Sequence, residues 1–157
     1  GDALAVSLLE LKGFTDKDFA RYHPGGALGK KLYLRVQDIS EKNNKPEVQA
    51  TTSLRDVIVN ITENMLGMTV VTDHHQAIGI ITDGDLRRML SSGKNIDDLV
   101  ARDIMSSHPK TITADSMAVQ ARELMEEKNI SQLIAVDEKD CYAGVVHIHD
   151  LIREGIV

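Results

Sequence analysis

Segments of the chain return 64 or 65 residues later, and this repetition restricts the fold more than any other feature. Gln37-Asp38-Ile39 comes back as Arg102-Asp103-Ile104. Met68-Thr69-Val70-Val71-Thr72-Asp73 comes back as Gln132-Leu133-Ile134-Ala135-Val136-Asp137. Gly79-Ile80-Ile81-Thr82-Asp83-Gly84-Asp85-Leu86 comes back as Gly144-Val145-Val146-His147-Ile148-His149-Asp150-Leu151. Gly79 and Gly144 stand 65 positions apart, as do Asp38 and Asp103. That period is longer than most solenoid units and fits one small domain. A unit of about 60 residues has a marginal core, so two copies are expected to pack as an intramolecular pair.

Each copy carries the same signals in the same order. A helix is expected over 53–66, capped by Ser53 with Asp56 three residues on, and another over 116–128, capped by Asp115. Two apolar strands follow in each, 69–72 with 77–81 and 132–136 with 143–146, joined by polar turns of hairpin length. A short strand precedes each first helix, at 47–50 and 111–112, and a last helix begins near Asp83 or Ile148. The unit reads β-α-β-β-α, and the chain is α/β (α+β) in class.

Residues 1–35 stand outside the repeat. Leu4, Leu8 and Leu11 mark a helix over 2–12, but Ala5, Val6 and Leu9 make it apolar nearly all round, which calls for burial on several sides. Gly13 is its stop. Thr15-Asp16-Lys17-Asp18 opens a short second helix ending near Tyr22, and His23-Pro24-Gly25-Gly26 follows. By itself that motif reads as helix termination and linker. This segment holds 6 Lys/Arg and 4 Asp/Glu, against a net charge of −6 for the whole chain. A boundary is therefore expected near 34–37, dividing the chain into 1–35, 36–95 and 96–157. The first residue is Gly1 rather than Met, and no signal peptide opens the chain, so a piece of a longer protein is expected.

Composition excludes several partners. With 18 Lys/Arg against 24 Asp/Glu, 3 Tyr, 2 Phe and no Trp, the 157 residues offer neither a cationic nor a base-stacking surface for nucleic acid. No apolar run reaches the ~20 residues that span a membrane. The single Cys141 forms no internal disulfide and fits a reducing cytoplasm.

The repeated Gly-x-x-Thr-x-x-Asp pattern is where ligand chemistry is expected. A strand ends at Thr82 and a helix starts at once, offering free N–H groups to an anion. The Thr82 hydroxyl suits a phosphate or ribose oxygen, Asp85 suits ribose hydroxyls, and Gly79 permits a close approach. The same residues equally read as a helix cap, and spacing alone does not separate the two. In the second copy His147 and His149 replace Thr and Gly, so a nucleotide pocket is less expected there than at the first, or one with a different ligand. His147-x-His149 and His74-His75 also raise a zinc site, but the repeat and a polar hairpin account for all four. Met65, Met68, Met89, Met105, Met117 and Met125 read as core filler.

Gly79-Ile80-Ile81-Thr82-Asp83-Gly84-Asp85 and Gly144-Val145-Val146-His147-Ile148-His149-Asp150 resemble the ligand fingerprint of CBS domain pairs over roughly residues 36–157. The second departs from it at His147. The resemblance implies a pseudo-twofold pair with nucleotide-contacting positions at Gly79, Thr82, Asp83, Asp85, His147 and Asp150. Gly1 to Val6, Gly13-Phe14-Thr15, Asp18-Phe19-Ala20, His23-Pro24-Gly25-Gly26-Ala27-Leu28-Gly29 and Leu34-Arg35-Val36 are similar to the end of the sugar-isomerase (SIS) domain of D-arabinose 5-phosphate isomerases. In that family a SIS domain precedes a CBS pair, and His149-Asp150-Leu151 also fits. The resemblance implies interconversion of D-ribulose 5-phosphate and D-arabinose 5-phosphate toward Kdo and lipopolysaccharide, with His23 in the active site as a proton shuttle. It further implies no required cofactor, a regulatory adenine nucleotide or CMP-Kdo, a homodimer through the CBS pair and a tetrameric parent. The phosphosugar loops of a SIS domain are missing from these residues, so the chain alone is expected to be non-catalytic. The competing expectation is a free-standing adenine-nucleotide sensor.

Overall fold

The computed structural model describes Gly29 and residues 32–156. The helices expected over 2–12 and 15–22, and His23, lie outside the described residues. The elements run α1 (Val36–Ser40), β1 (Glu47–Gln49), α2 (Leu54–Asn64), β2 (Met68–Asp73), β3 (Gln76–Thr82), α3 (Asp83–Ser91), a 3-10 turn (Ile96–Asp98), α4 (Ala101–Ile104), β4 (Ser106–Ser107), β5 (Thr111–Thr113), α5 (Ala118–Lys128), β6 (Gln132–Val136), β7 (Tyr142–His147) and α6 (Ile148–Arg153).

Both copies build the expected unit. β1 lies parallel to β2, which α2 makes possible as the crossover, and β2 turns back antiparallel into β3. β5, β6 and β7 repeat that arrangement, while β4 adds a short edge strand to the first sheet only. The register is equivalent too. Met68 lies opposite Thr82 and Gln132 opposite His147, so both sheets end at matching strand–helix junctions. The first hairpin turns through His74 and His75, both at positive φ (49° and 70°), the backbone that a two-residue connection requires.

Local chemistry sets the helix starts. Ser53 caps α2 by accepting from the Asp56 N–H at 3.2 Å. The cap expected at Asp115 is corrected: α5 begins two residues later, with Met117 as N-cap and the Gln120 side chain accepting its N–H at 2.9 Å. The cause is tertiary. Met117 forms an antiparallel bridge with Arg35, and the Val36 N–H donates to the Ser116 carbonyl at 2.9 Å. That pairing holds 116–117 extended and delays the helix.

The leading segments are exchanged between the copies. Leu34, Val36 and Ile39 are buried with Ala121, Met125, Leu133, Val146 and Leu151 of the second copy. Ala101, with Leu99 and Ile104, packs on Leu54, Val57, Ile61 and Ile81 of the first. Matching hydrogen bonds fix both: Gln37 N–H to the Ala114 carbonyl at 2.8 Å, and Arg102 N–H to the Ala50 carbonyl at 2.9 Å. A third cluster joins the two sheets through Met68, Val70, Ile134, Val136, Tyr142 and Val145. Each such aliphatic side chain contributes about 1.5–3 kcal/mol on full burial. The faces that a single copy leaves uncovered are thus buried by the other.

Candidate functional site

The two fingerprints lie at the two strand–helix junctions. In the first, the Thr82 N–H donates to Asp85 Oδ2 at 2.9 Å, and the Asp85 N–H donates back to Thr82 Oγ1 at 3.4 Å. The Thr82 hydroxyl donates to the same carboxylate at 3.2 Å, and Arg88 pairs with its other oxygen. Thr82 and Asp85 therefore form a reciprocal cap of α3, the second of the two readings open to their spacing. Asp83 is exposed. Gly79 is buried under α4's end: a Cβ there would stand 2.5 Å from Met105 Sδ. The neighbour that approaches Gly79 is thus a side chain of the exchanged segment.

In the second junction the His147 N–H donates to Asp150 Oδ2 at 2.8 Å. Asn43, in the loop between α1 and β1, donates to the same oxygen at 2.8 Å and to the Val145 carbonyl at 3.0 Å. Arg153 stands 3.6 Å from Asp150 Oδ1. The carboxylate is buried and held by donors from both copies. His147 Nδ1 accepts from the His149 N–H at 3.1 Å, and the two rings stack with centroids 4.6 Å apart at 20°. Burial lowers the His147 pKa from its ordinary 6.5, the His149 ring lowers it further, and Asp150 opposes both.

A cleft of about 320 Å³ opens at this second junction, between the copies. His147, His149, Asp150 and Arg153 form one side. Lys42, Asn43 and Asn44, then Asn64, Met65 and Leu66 at the end of α2, form the other. The structure thus brings His147 and Asp150 into one cleft, while Gly79, Thr82, Asp83 and Asp85 belong to the first junction. A smaller hollow of about 220 Å³ flanks Asp85 and Arg88 and runs to Lys94 and Asp103. Sequence reading missed Lys42, Asn43, Asn64 and Arg153.

The cleft is polar and carries cations at Lys42 and Arg153, so it suits an anionic ligand with hydroxyl or amide groups. β7 ends at His147, His149 lies in α6, and His74 is exposed with Asp73 as its partner at 2.9 Å. Among the described residues no three His, Cys, Asp or Glu side chains converge as metal ligands. No helix among them is long and apolar enough to cross a membrane.

The family model for the CBS domain matches residues 36–92 and 101–156. Over its whole length the chain is 44% identical to arabinose 5-phosphate isomerase KdsD of Pseudomonas aeruginosa, covering 49% of that protein. It is 46% identical to KdsD of Escherichia coli K12, covering 48% of it. The chain spans about half the length of the curated relatives it matches. Among solved structures, the CBS domain protein PAE2072 from Pyrobaculum aerophilum, complexed with AMP, shares the fold with a TM-score of 0.68 over 75% of this chain and 90% of that one, at 22% identity.

Proposed function

Because the chain belongs to the CBS domain family, we propose that it is the regulatory CBS pair of a D-arabinose 5-phosphate isomerase, and that the cleft at His147 and Asp150 takes a nucleotide. One observation carries the reading. Similarity to the KdsD isomerases runs through the whole chain, including residues 1–35, which the CBS family model leaves unmatched. On this reading the chain divides into a SIS tail at 1–35 and CBS copies at 36–95 and 96–157, which the CBS matches at 36–92 and 101–156 support.

The parent protein would interconvert D-ribulose 5-phosphate and D-arabinose 5-phosphate in the cytoplasm, on the route to Kdo and lipopolysaccharide, with His23 moving a proton during ring opening or enediol formation. These 157 residues alone would not turn over substrate. No cofactor is required, and the regulatory ligand is an adenine nucleotide or CMP-Kdo. The AMP complex of the PAE2072 neighbour supports the first, and the polar, cation-bearing cleft suits either. The chain would dimerise through its CBS helices, within a tetrameric parent.

Calorimetry of the chain with AMP, ATP and CMP-Kdo tests the ligand reading. Binding of any one supports it, and binding of none overturns it. An isomerase assay on the full-length protein, with and without that ligand, tests the regulatory role. Conversion of ribulose 5-phosphate by the 157 residues alone would overturn their non-catalytic assignment.

A further inference from the structure

We propose that the His147–His149 pair makes this cleft selective for a phosphate-bearing nucleotide over the corresponding uncharged nucleoside, and that binding draws a proton onto the pair. The inference rests on the nucleotide reading above and assigns His149 as a specificity-determining residue of that site.

The fixed charges around the rings are few. Asp150 is the one carboxylate lining the cleft, and it already accepts from the His147 N–H and Asn43 while facing Arg153. Lys42 is exposed and 3.6 Å from Glu154. The end of α2 contributes only uncharged groups, at Asn64, Met65 and Leu66. No unengaged carboxylate among the described lining residues therefore opposes a phosphate.

The ring geometry favours a neutral His147. His147 Nδ1 accepts the His149 N–H, which puts the His147 ring proton on Nε2, and a second proton at Nδ1 would break that bond. Stacked at 4.6 Å, two imidazolium rings repel one another. The lowered His147 pKa agrees with this geometry. A phosphate dianion against the rings reverses the balance, because an opposite charge within hydrogen-bonding range favours the protonated form. An uncharged nucleoside supplies no such term, so it gains neither the charge-assisted bonds nor the proton.

The test is calorimetry of the chain with AMP and adenosine at pH 6.5 and 8, each in two buffers of different ionisation enthalpy. The expected result is AMP binding at least about tenfold tighter than adenosine at pH 6.5, in line with one charge-assisted hydrogen bond, with net proton uptake. His149→Gln, at an exposed position, and His147→Asn, which keeps an acceptor for the 149 N–H, should each reduce both the preference and the uptake. Equal binding of AMP and adenosine overturns the inference and leaves the nucleotide reading standing. So does uptake unchanged in both variants, which would trace the proton to the phosphate's own ionisation near pH 6. Binding of neither ligand overturns both readings.

Discussion

Asn43 donates to Asp150 across the junction of the two copies, at 2.8 Å, from a loop that precedes the first copy's sheet to a helix that ends the second. One side chain thus ties the exchanged leading segment to the floor of the cleft. Asn43→Ala removes two hydrogen bonds and leaves a buried carboxylate one donor short. The expected loss is about 1–3 kcal/mol, read as a lower urea midpoint at unchanged m-value. Weaker ligand binding in the cleft should accompany it. A midpoint within error of the parent would mean that water replaces Asn43 without cost.

Thr82 and Asp85 cap α3, so Thr82→Ala should act on stability. The expected cost is about 1 kcal/mol, seen as a lower Tm by circular dichroism. Nucleotide affinity at the His147 cleft should stay unchanged, because Thr82 belongs to the other junction. A large loss of affinity at constant stability would place ligand contacts at the first copy.

Gly79 and Met105 occupy one space. Gly79→Ala would set a Cβ 2.5 Å from Met105 Sδ and 3.0 Å from its Cγ. We expect a destabilisation of about 1–3 kcal/mol from overpacking. Met105→Ala should relieve it, so a double-mutant cycle should give a favourable coupling between the two changes. Additive costs would show that the clash is not what makes 79 a glycine.

Burial and the neighbouring ring hold His147 below its ordinary pKa of 6.5. The unfolded chain therefore binds its proton at higher pH than the folded chain does. Stability from the neutral ring is complete above pH 6.5 and is lost as pH falls through the depressed folded value. Urea midpoints should drop between pH 7.5 and 5.5, and His147→Gln should flatten that drop. An equal drop in the variant would assign it to other groups.

Much of the unit was legible because its signals are local. Apolar runs and the Gly-to-Asp spacing are written within a dozen residues and recur in each copy, and Ser53 marks the start of α2 in the first. β2 and β3 extend one residue or more beyond the expected runs, since pairing carries the ladder into the polar turn. Asp115 illustrates the limit. Its type and spacing fit a cap, but bridging of Arg35 with Met117 decided otherwise.

The sequence by itself determined that two small β-α-β-β-α copies exist, where their strand–helix junctions fall and which residues sit there. Those properties follow from periodicity and from side chains within one turn of their partners. Only the tertiary structure decided that Leu34–Ser40 packs on the second copy and Ala101–Ile104 on the first. It also decided that Lys42, Asn43, Asn64 and Met65 join His147, His149 and Asp150 in one cleft. The physical reason is that each copy leaves apolar surface it cannot cover, and the other copy's leading segment covers it. No local pattern records which segment that will be, because both carry the same Asp-Ile signal at Asp38-Ile39 and Asp103-Ile104.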